Sequence, residues 1–163
     1  MRILGVDPGL GATGYGIIES GRERIKIVEA GVIRTSGKSS LQERLQILRE
    51  ALNGLIEECA PEVMVLEKLY SHYKHPTTAI LMGHARGVIC SLCEPHNLQL
   101  VNYAATRVKK TVTGNGRASK LQVQRSVQRI LRLDEMPEST DLSDALALAL
   151  SHVYIEKKSC LFK

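Results

Sequence analysis

Residues 3–16 read ILGVDPGLGATGYG, so that an apolar run ends in a single carboxylate, Asp7, and a glycine-rich segment follows. The apolar run predicts a buried strand over residues 2–6. Isoleucine and valine recur with partial alternation in residues 15–20 and 24–35, which predicts two further strands. Because only short links join these three strands, we expect an antiparallel meander.

The hydrophobic period then changes from that of a strand to that of a helix. This helix begins at a capping box formed by Ser40 and Glu43 and ends before Pro61. Residues 62–67 follow as a short apolar strand that ends in a second carboxylate, Glu67. The helical stripe consists of Leu41, Leu45, Leu48, Leu52, Leu55 and Cys59.

The C-terminal half combines helices with one more strand. We expect a helix over residues 76–93, a strand over 98–103 and a short basic helix over 106–112. Ser119 caps the next helix and Thr140 caps the last one. The order β-β-β-α-β-α-β-α-α-α predicts an α/β fold, with a mixed five-stranded sheet and helices on both faces. The apolar stripe of the last helix consists of Leu142, Ala145, Leu146, Ala149, Leu150 and Val153.

Composition limits the classes of function. The chain has 163 residues, 44% of them hydrophobic, which suits one domain with a sizeable core. We assign residues 1–158 to that domain and residues 159–163 to a short C-terminal tail. The formal net charge of +5 favours a polyanionic partner such as nucleic acid without proving one.

Membrane and secretory classes are not indicated. No apolar run approaches the roughly 18 residues that a membrane-spanning helix needs. The N-terminus does not resemble a signal peptide, so we expect a cytoplasmic protein without a membrane partner. Cys90 and Cys93 form a single CxxC pair, and without a second pair we expect reduced thiols rather than a zinc site.

Four carboxylates fall where this topology brings element ends together. Asp7 and Glu67 end the first and fourth strands, and Asp141 and Asp144 lie three residues apart in the first turn of the last helix. If the two strands are parallel neighbours, their carboxyl ends meet at one edge. Converging carboxylates repel unless cations neutralise them, and oxygen ligands suit Mg²⁺ or Mn²⁺. Two such ions about 4 Å apart would hold the attacking and leaving oxygens of a phosphodiester in line.

A purely structural role is the alternative for each of these four carboxylates. An aspartate at the position of Asp7 is also typical of a turn, and a glutamate at the position of Glu67 is typical of an exposed strand end. Asp141 and Asp144 would also interact favourably with the helix dipole. The segment DPGLGATG also matches the Asp-x-Gly pattern of actin-like ATPases, whose backbone amides bind phosphate. The following strand and the short chain speak against that alternative. The basic residues around residues 113–119 suit either phosphate binding or a solvated surface.

Five ordered motifs together resemble the RuvC-type Holliday junction resolvases, from about residue 2 to residue 153. The motifs are ILGVDPGLGATGYG (3–16), LEKLY (66–70), GHARGVI (83–89), RVKKTVTGNGRASKLQVQ (107–124) and DLSDALALALSH (141–152). The resemblance implies a ribonuclease-H-like fold, a homodimer and Mg²⁺-dependent paired nicking of four-way DNA junctions. It also implies a junction-migrating helicase complex of the RuvA and RuvB type as partner. With the carboxylate chemistry above, we expect two Mg²⁺ ions per subunit, replaceable by Mn²⁺.

The resemblance also assigns site residues. The acidic metal ligands of the family fall on Asp7, Glu67, Asp141 and Asp144. The aromatic residue that probes unpaired bases falls on Tyr70, where many members have phenylalanine, and helix 76–93 is the expected dimer face. The functionally important lysines of the family fall on Lys109 and Lys120, which flank the glycine loop, and nearby basic residues of this chain add to their charge. The expected DNA-binding residues are therefore Tyr70, Arg107, Lys109, Lys110, Arg117 and Lys120.

The role of Arg86 and two rival functions stay open at this point. Arg86 lies in the middle of a helix and suits either neutralisation of a carboxylate or contact with DNA. A non-catalytic module that binds junctions on the same fold is one rival function, although the chain retains all four carboxylates. A ribonuclease-H-like enzyme that cleaves RNA–DNA hybrids is the other.

Overall fold

The computed structural model describes residues 1–21, 24–68 and 76–161, without the side chains of Pro76 and residues 158–161. The predicted order of strands and helices is confirmed. The last helix reaches Leu161 and so includes part of the segment expected as a tail. The elements are β1 (Arg2–Asp7), β2 (Ala12–Ser20), β3 (Ile25–Arg34), α1 (Leu41–Cys59), β4 (Val63–Glu67), α2 (Pro76–Ser91), β5 (Gln99–Tyr103), α3 (Ala105–Thr113), α4 (Lys120–Leu131) and α5 (Thr140–Leu161).

The sheet has the strand order β3-β2-β1-β4-β5. Strands β1, β2 and β3 pair antiparallel, which confirms the predicted meander. A register shift between Ile17 and Ile18 marks a bulge in the β2–β3 pair. Strand β4 pairs in parallel with both β1 and β5, so β1 and β4 are the parallel neighbours that the carboxylate hypothesis requires.

Helices cover both faces of the sheet because side chains of each strand alternate between two apolar clusters. Ile3 of β1 packs in the cluster that contains Leu146 and Leu150 of α5. Its neighbour Leu4 packs on the opposite face, in the cluster that contains Leu52 of α1. Helices α3 and α4 pack beside α5, and α2 packs beside α1. The sheet is therefore buried from both sides and fixes the positions of its strand ends.

Side-chain caps fix where three of the helices begin. The capping box at α1 is confirmed, with Ser40 Oγ accepting a hydrogen bond from the Glu43 amide at 3.3 Å. The box of Ser119 at α4 is confirmed in the same way. At α5 the predicted cap is wrong, because Ser139 Oγ accepts the bond from the Leu142 amide at 3.1 Å and Thr140 is the first helical residue. Both residue types suit a cap, and the residue whose side chain reaches the third amide of the helix takes the role.

In the described ranges, we find no helix with the length and apolar character that crossing a membrane requires.

Candidate active site

Two carboxylates lie at the carboxyl ends of neighbouring parallel strands. Asp7 is the last residue of β1 and Glu67 is the last residue of β4. Val6 pairs with Leu66 in the register, so the next position on each strand brings Asp7 and Glu67 to the same edge of the sheet. Both side chains are half-buried, which makes an ionised carboxylate more costly there than in water.

The first turn of α5 lies directly against β2 because β2 has a glycine at that point. A Cβ atom on Gly14 would lie 2.0 Å from the backbone oxygen of Asp141, so any larger residue would displace the helix. Gly14 faces Asp7 in the β1–β2 register. The close approach therefore brings Asp141, and with it Asp144 one helical turn later, towards the edge that carries Asp7.

Two further glycines continue this surface along α5. A Cβ on Gly5 would lie 2.1 Å from the backbone oxygen of Ala145, and one on Gly16 would lie 2.6 Å from Leu146 Cδ2. Gly5 and Gly16 face each other across β1 and β2. Three glycines of the opening motif thus form a surface on which α5 lies. This packing gives them a structural role that requires no bound phosphate.

The pKa of Asp7 reflects how closely the four carboxylates are associated. Burial raises it from 3.8 to about 7, and the negative charges of Asp144, Glu67 and Asp141 contribute in that order. The charge of Lys120 opposes the rise. The four carboxylates predicted from the sequence therefore act on one another across this edge of the sheet.

Burial also raises the pKa of Glu67 and of Asp144. For Glu67 the charge of Asp144 adds to this effect, while Lys109 and Lys120 oppose it. For Asp144 the charges that oppose the rise are again those of Lys120 and Lys109. The lysines on α3 and α4 therefore partly neutralise the carboxylates.

The two predicted lysines differ in exposure. Lys120 Nζ lies 3.6 Å from Asp144 Oδ2, and 65% of the Lys120 side chain is exposed. Lys109 is half-buried on α3. The other predicted basic residues are exposed, and the guanidinium of Arg107 lies 5.2 Å from the centre of the Tyr103 ring. These three residues are Arg107, Lys110 and Arg117.

Arg86 holds the end of β4 in place. Its Nη1 donates a hydrogen bond of 2.8 Å to the backbone oxygen of Glu67, and its Nη2 donates to Asn102 Oδ1 on β5. Its charge also lowers the pKa of the Glu67 carboxyl. Of the two roles left open for Arg86, these contacts support neutralisation of a carboxylate. The sequence did not single out Asn102, because nothing in the pattern of β5 distinguishes it from an ordinary exposed strand residue.

The donor set suits a hard divalent cation, since all four side chains offer carboxylate oxygens. Within residues 1–21, 24–68 and 76–161, no three histidine, cysteine, aspartate or glutamate side chains lie close enough together to hold a metal ion. Tyr70, predicted to contact unpaired bases, lies outside the described residues.

Comparison with protein families and curated relatives gives one consistent match. A family model described as crossover junction endodeoxyribonuclease RuvC matches residues 3–152. The RuvC protein of Rhodopirellula baltica is 46% identical to the chain, over 94% of this chain and 86% of the relative. The RuvC protein of Caldicellulosiruptor saccharolyticus is 41% identical to the chain, over 100% of this chain and 98% of the relative.

Solved structures give a corresponding match in three dimensions. The structure of Thermus thermophilus RuvC has a TM-score of 0.87 at 26% identity, with 98% of this chain and 97% of that chain covered. The structure of Thermus thermophilus RuvC in complex with a Holliday junction substrate has a TM-score of 0.91 at 27% identity. The match covers 98% of this chain and 96% of that chain. The yeast mitochondrial Holliday junction resolvase Ydc2, at 13% identity and a TM-score of 0.70, shares the fold.

Proposed function

Because the chain belongs to the RuvC family of crossover junction endodeoxyribonucleases, we propose that it resolves four-way DNA junctions by metal-dependent hydrolysis of phosphodiester bonds. The predicted ribonuclease-H-like fold is confirmed, and so is the prediction of a DNA endonuclease. The observation that carries the proposal for the site is the meeting of Asp7 and Glu67 at the carboxyl ends of the parallel neighbours β1 and β4, with the first turn of α5 packed against Gly14 beside them. Half-buried carboxylates that repel one another favour a bound cation, because the cation neutralises their negative charge.

The proposed metal ligands are Asp7, Glu67, Asp141 and Asp144. We propose two Mg²⁺ ions per subunit, with Mn²⁺ able to replace them, because carboxylate oxygens suit both ions. When bound, the metal activates water and stabilises negative charge on the phosphodiester.

The lysines and Arg86 prepare this site in different ways. Lys120 lies beside Asp144 through a side chain that is largely exposed, so its Nζ would also be accessible to a phosphate oxygen of bound DNA. Lys109 adds positive charge beside Glu67. Arg86 keeps the carboxyl end of β4 in position through its bond to the Glu67 backbone. These groups would orient the substrate phosphate and the ligands without taking part in bond cleavage.

Contacts with the rest of the DNA come from α3, the loop after it and the start of α4. Exposed cations on these elements would neutralise backbone phosphates, which gives affinity without reading sequence. Tyr70 would stack on a base that the junction leaves unpaired. The proposed DNA-binding residues are therefore Tyr70, Arg107, Lys109, Lys110, Arg117 and Lys120. The junction complex of Thermus thermophilus RuvC supports this class of substrate.

Paired nicks require two active sites, so we propose a homodimer that packs through α2. Ile80 of α2 is 62% exposed, the largest exposed fraction among the large apolar side chains that the structure describes, so a partner helix would find an apolar contact there. On the same helix, a Cβ on Gly83 or Gly87 would meet nothing within 4 Å, so a second helix has room to approach closely. A junction-migrating helicase complex of the RuvA and RuvB type and a cytoplasmic location complete the proposal.

Replacing one ligand tests the proposed function. We expect Asp7→Asn to bind a synthetic four-way junction like the wild type and to lose cleavage in Mg²⁺, because the carboxylate holds the cation rather than the DNA. Asp134→Asn, at an exposed position in the turn after α4, is the matched control and should cleave normally. Cleavage by Asp7→Asn at a rate near that of the wild type would refute the metal assignment.

The same assay separates the rival functions. Tight junction binding by the wild type without cleavage in Mg²⁺ or Mn²⁺ would favour the non-catalytic binding module. Cleavage of an RNA–DNA hybrid in preference to the junction would favour the other ribonuclease-H-like branch.

A further inference from the structure

A groove of about 590 Å³ lies at the end of the molecule opposite the carboxylates. The beginning of β3 and the C-terminal ends of α4 and α5 form it, and we call it the basic groove. Tyr154 in its wall follows Asp141 by 13 residues of α5, which corresponds to about 20 Å along the helix. Ile25 pairs with Ser20, at the end of the sheet where β1 begins rather than where Asp7 ends it. The groove is therefore separate from the proposed active site.

The floor and the rim of the basic groove differ in chemistry. Half-buried apolar side chains form the floor, among them Ile25, Ile27, Leu133 and Tyr154. Four exposed cations surround this floor, and they are Arg24, Lys26, Arg132 and Lys157. An apolar floor inside a cationic rim suits a ligand that carries both apolar groups and negative charge.

The cations of the rim have no acidic partner in the part of the chain that the structure describes. No carboxylate of those residues lies within 4.0 Å of any of the four. Glu19 faces Lys26 across the β2–β3 pair but forms its ion pair with Arg2 at 3.3 Å. Among the described residues, no carboxylate competes with a ligand for the positive charge of the rim.

The backbone of the basic groove has a free strand edge and one residue in the left-handed region. Strand β3 is at the edge of the sheet and pairs with β2 alone, so its outer backbone groups are able to pair with an added strand. Arg132 ends α4 with a φ of 55°, in the left-handed region that favours glycine. An arginine at this position places a cation on the rim where glycine would suit the backbone better.

We propose that the basic groove binds an extended acidic segment of a partner protein, with apolar side chains of that segment on the groove floor. The segment would add as a strand to the outer edge of β3, a mode of recognition in which backbone hydrogen bonds give affinity and side-chain pockets give specificity. Its aspartates and glutamates would pair with the rim cations. This interaction is independent of the proposed nuclease activity, because no residue of the groove belongs to the carboxylate site.

The floor favours a peptide over nucleic acid as the ligand. A DNA backbone would pair with the rim cations but would leave Ile25, Ile27 and Leu133 without apolar contacts. Bases stack on flat aromatic side chains, and among the described residues that line the groove Tyr154 alone is aromatic. A peptide with alternating acidic and apolar residues satisfies both the rim and the floor.

The test uses a fluorescein-labelled peptide in which aspartates alternate with leucines, titrated with the full chain at low ionic strength. We expect saturable binding with a Kd of about 10–100 μM, typical of a short peptide on an open groove. The double variant Arg24→Glu/Arg132→Glu should weaken binding at least about 10-fold. The matched control Lys38→Glu/Arg49→Glu changes two exposed cations outside the groove and should leave the affinity within about 2-fold.

A second peptide, with serine at every leucine position, separates groove binding from general attraction between opposite charges. We expect it to bind at least about 5-fold more weakly than the leucine peptide, because it keeps the charge and lacks the apolar contacts. Equal affinity for the two peptides, or no saturable binding of the leucine peptide, would overturn the proposal. A linear DNA duplex serves as the third ligand. If the duplex binds more tightly than the leucine peptide and loses as much affinity in Arg24→Glu/Arg132→Glu, the groove is a DNA site and the proposal is overturned.

Discussion

Replacing Gly14 by alanine tests whether the packing of α5 on β2 positions the carboxylates. A Cβ at this position would lie 2.0 Å from the backbone oxygen of Asp141 and 3.0 Å from the backbone nitrogen of Leu142. Since ordinary van der Waals contact begins at 3.4 Å, the 2.0 Å separation must grow by about 1.4 Å. The added group belongs to the sheet and meets the backbone of the helix, so a rotation of side chains does not relieve the clash. The first turn of α5 must therefore move away from Asp7.

Two magnitudes follow from this displacement. Overpacking of this kind destabilises a protein by about 1–3 kcal/mol, which corresponds to about 2–12 °C in Tm for a chain of this size. A misplacement of about 1 Å in a catalytic arrangement lowers the rate by about 100-fold. We therefore expect Gly14→Ala to fold at 25 °C with a lowered Tm and to cleave a four-way junction about 100-fold more slowly than the wild type.

The measurement combines thermal unfolding with single-turnover cleavage of a synthetic junction in saturating Mg²⁺. Gly54→Ala is the control, because Gly54 is exposed within α1 and a Cβ there meets nothing within 4 Å. This control should gain up to about 1 kcal/mol in the free energy of unfolding and cleave normally. If Gly14→Ala is as stable as the wild type and cleaves within about 2-fold of its rate, the contact does not position the ligands.

Three further predictions concern other parts of the molecule. In EDTA the raised pKa of Asp7 makes the folded state bind a proton more tightly than the unfolded state. This contribution to stability is complete below about pH 4 and is lost as the pH rises to about 7. Urea unfolding from pH 4 to pH 8 should therefore show a decline that is smaller in Asp7→Asn, and an equal decline in both proteins would contradict the electrostatic description. Tyr70→Ala should slow junction cleavage more than it weakens binding, and equal losses in both assays would indicate a structural role instead. Ile80→Glu should convert a dimer into a monomer in light-scattering chromatography, since a charge replaces an apolar contact; an unchanged dimer would exclude this face of α2 as the interface.

The fold was largely predictable from local patterns. The alternation in the first three strands, the helical stripe of α1 and the short apolar run of β4 each depend on residues within one element. Asp7 and Glu67 could be placed at one edge because strand ends meet whenever two strands are parallel neighbours, and the register of Val6 with Leu66 confirms that arrangement. Patterns of this kind need no knowledge of distant contacts.

The packing of α5 on the sheet could not be predicted in the same way. Gly5, Gly14 and Gly16 meet backbone and side-chain atoms of α5 that are about 130 positions away in the chain. The glycine-rich stretch alone therefore did not reveal this packing, and it also matched the pattern of a phosphate loop. Arg86 presents the same difficulty, because its partner is a backbone oxygen on another element. The cap of α5 depended on which of two adjacent hydroxyl residues reaches an amide, a distance that the sequence does not contain.

The proposed activity is tested most directly by incubating the purified protein with a synthetic four-way junction in Mg²⁺ and, separately, in EDTA. A linear DNA duplex and an RNA–DNA hybrid of the same length serve as parallel substrates. We expect paired nicks in strands of like polarity, on the junction alone and in Mg²⁺ alone. Cleavage that continues in EDTA would contradict the metal site at Asp7, Glu67, Asp141 and Asp144, and equal cleavage of the linear duplex would contradict selectivity for junctions.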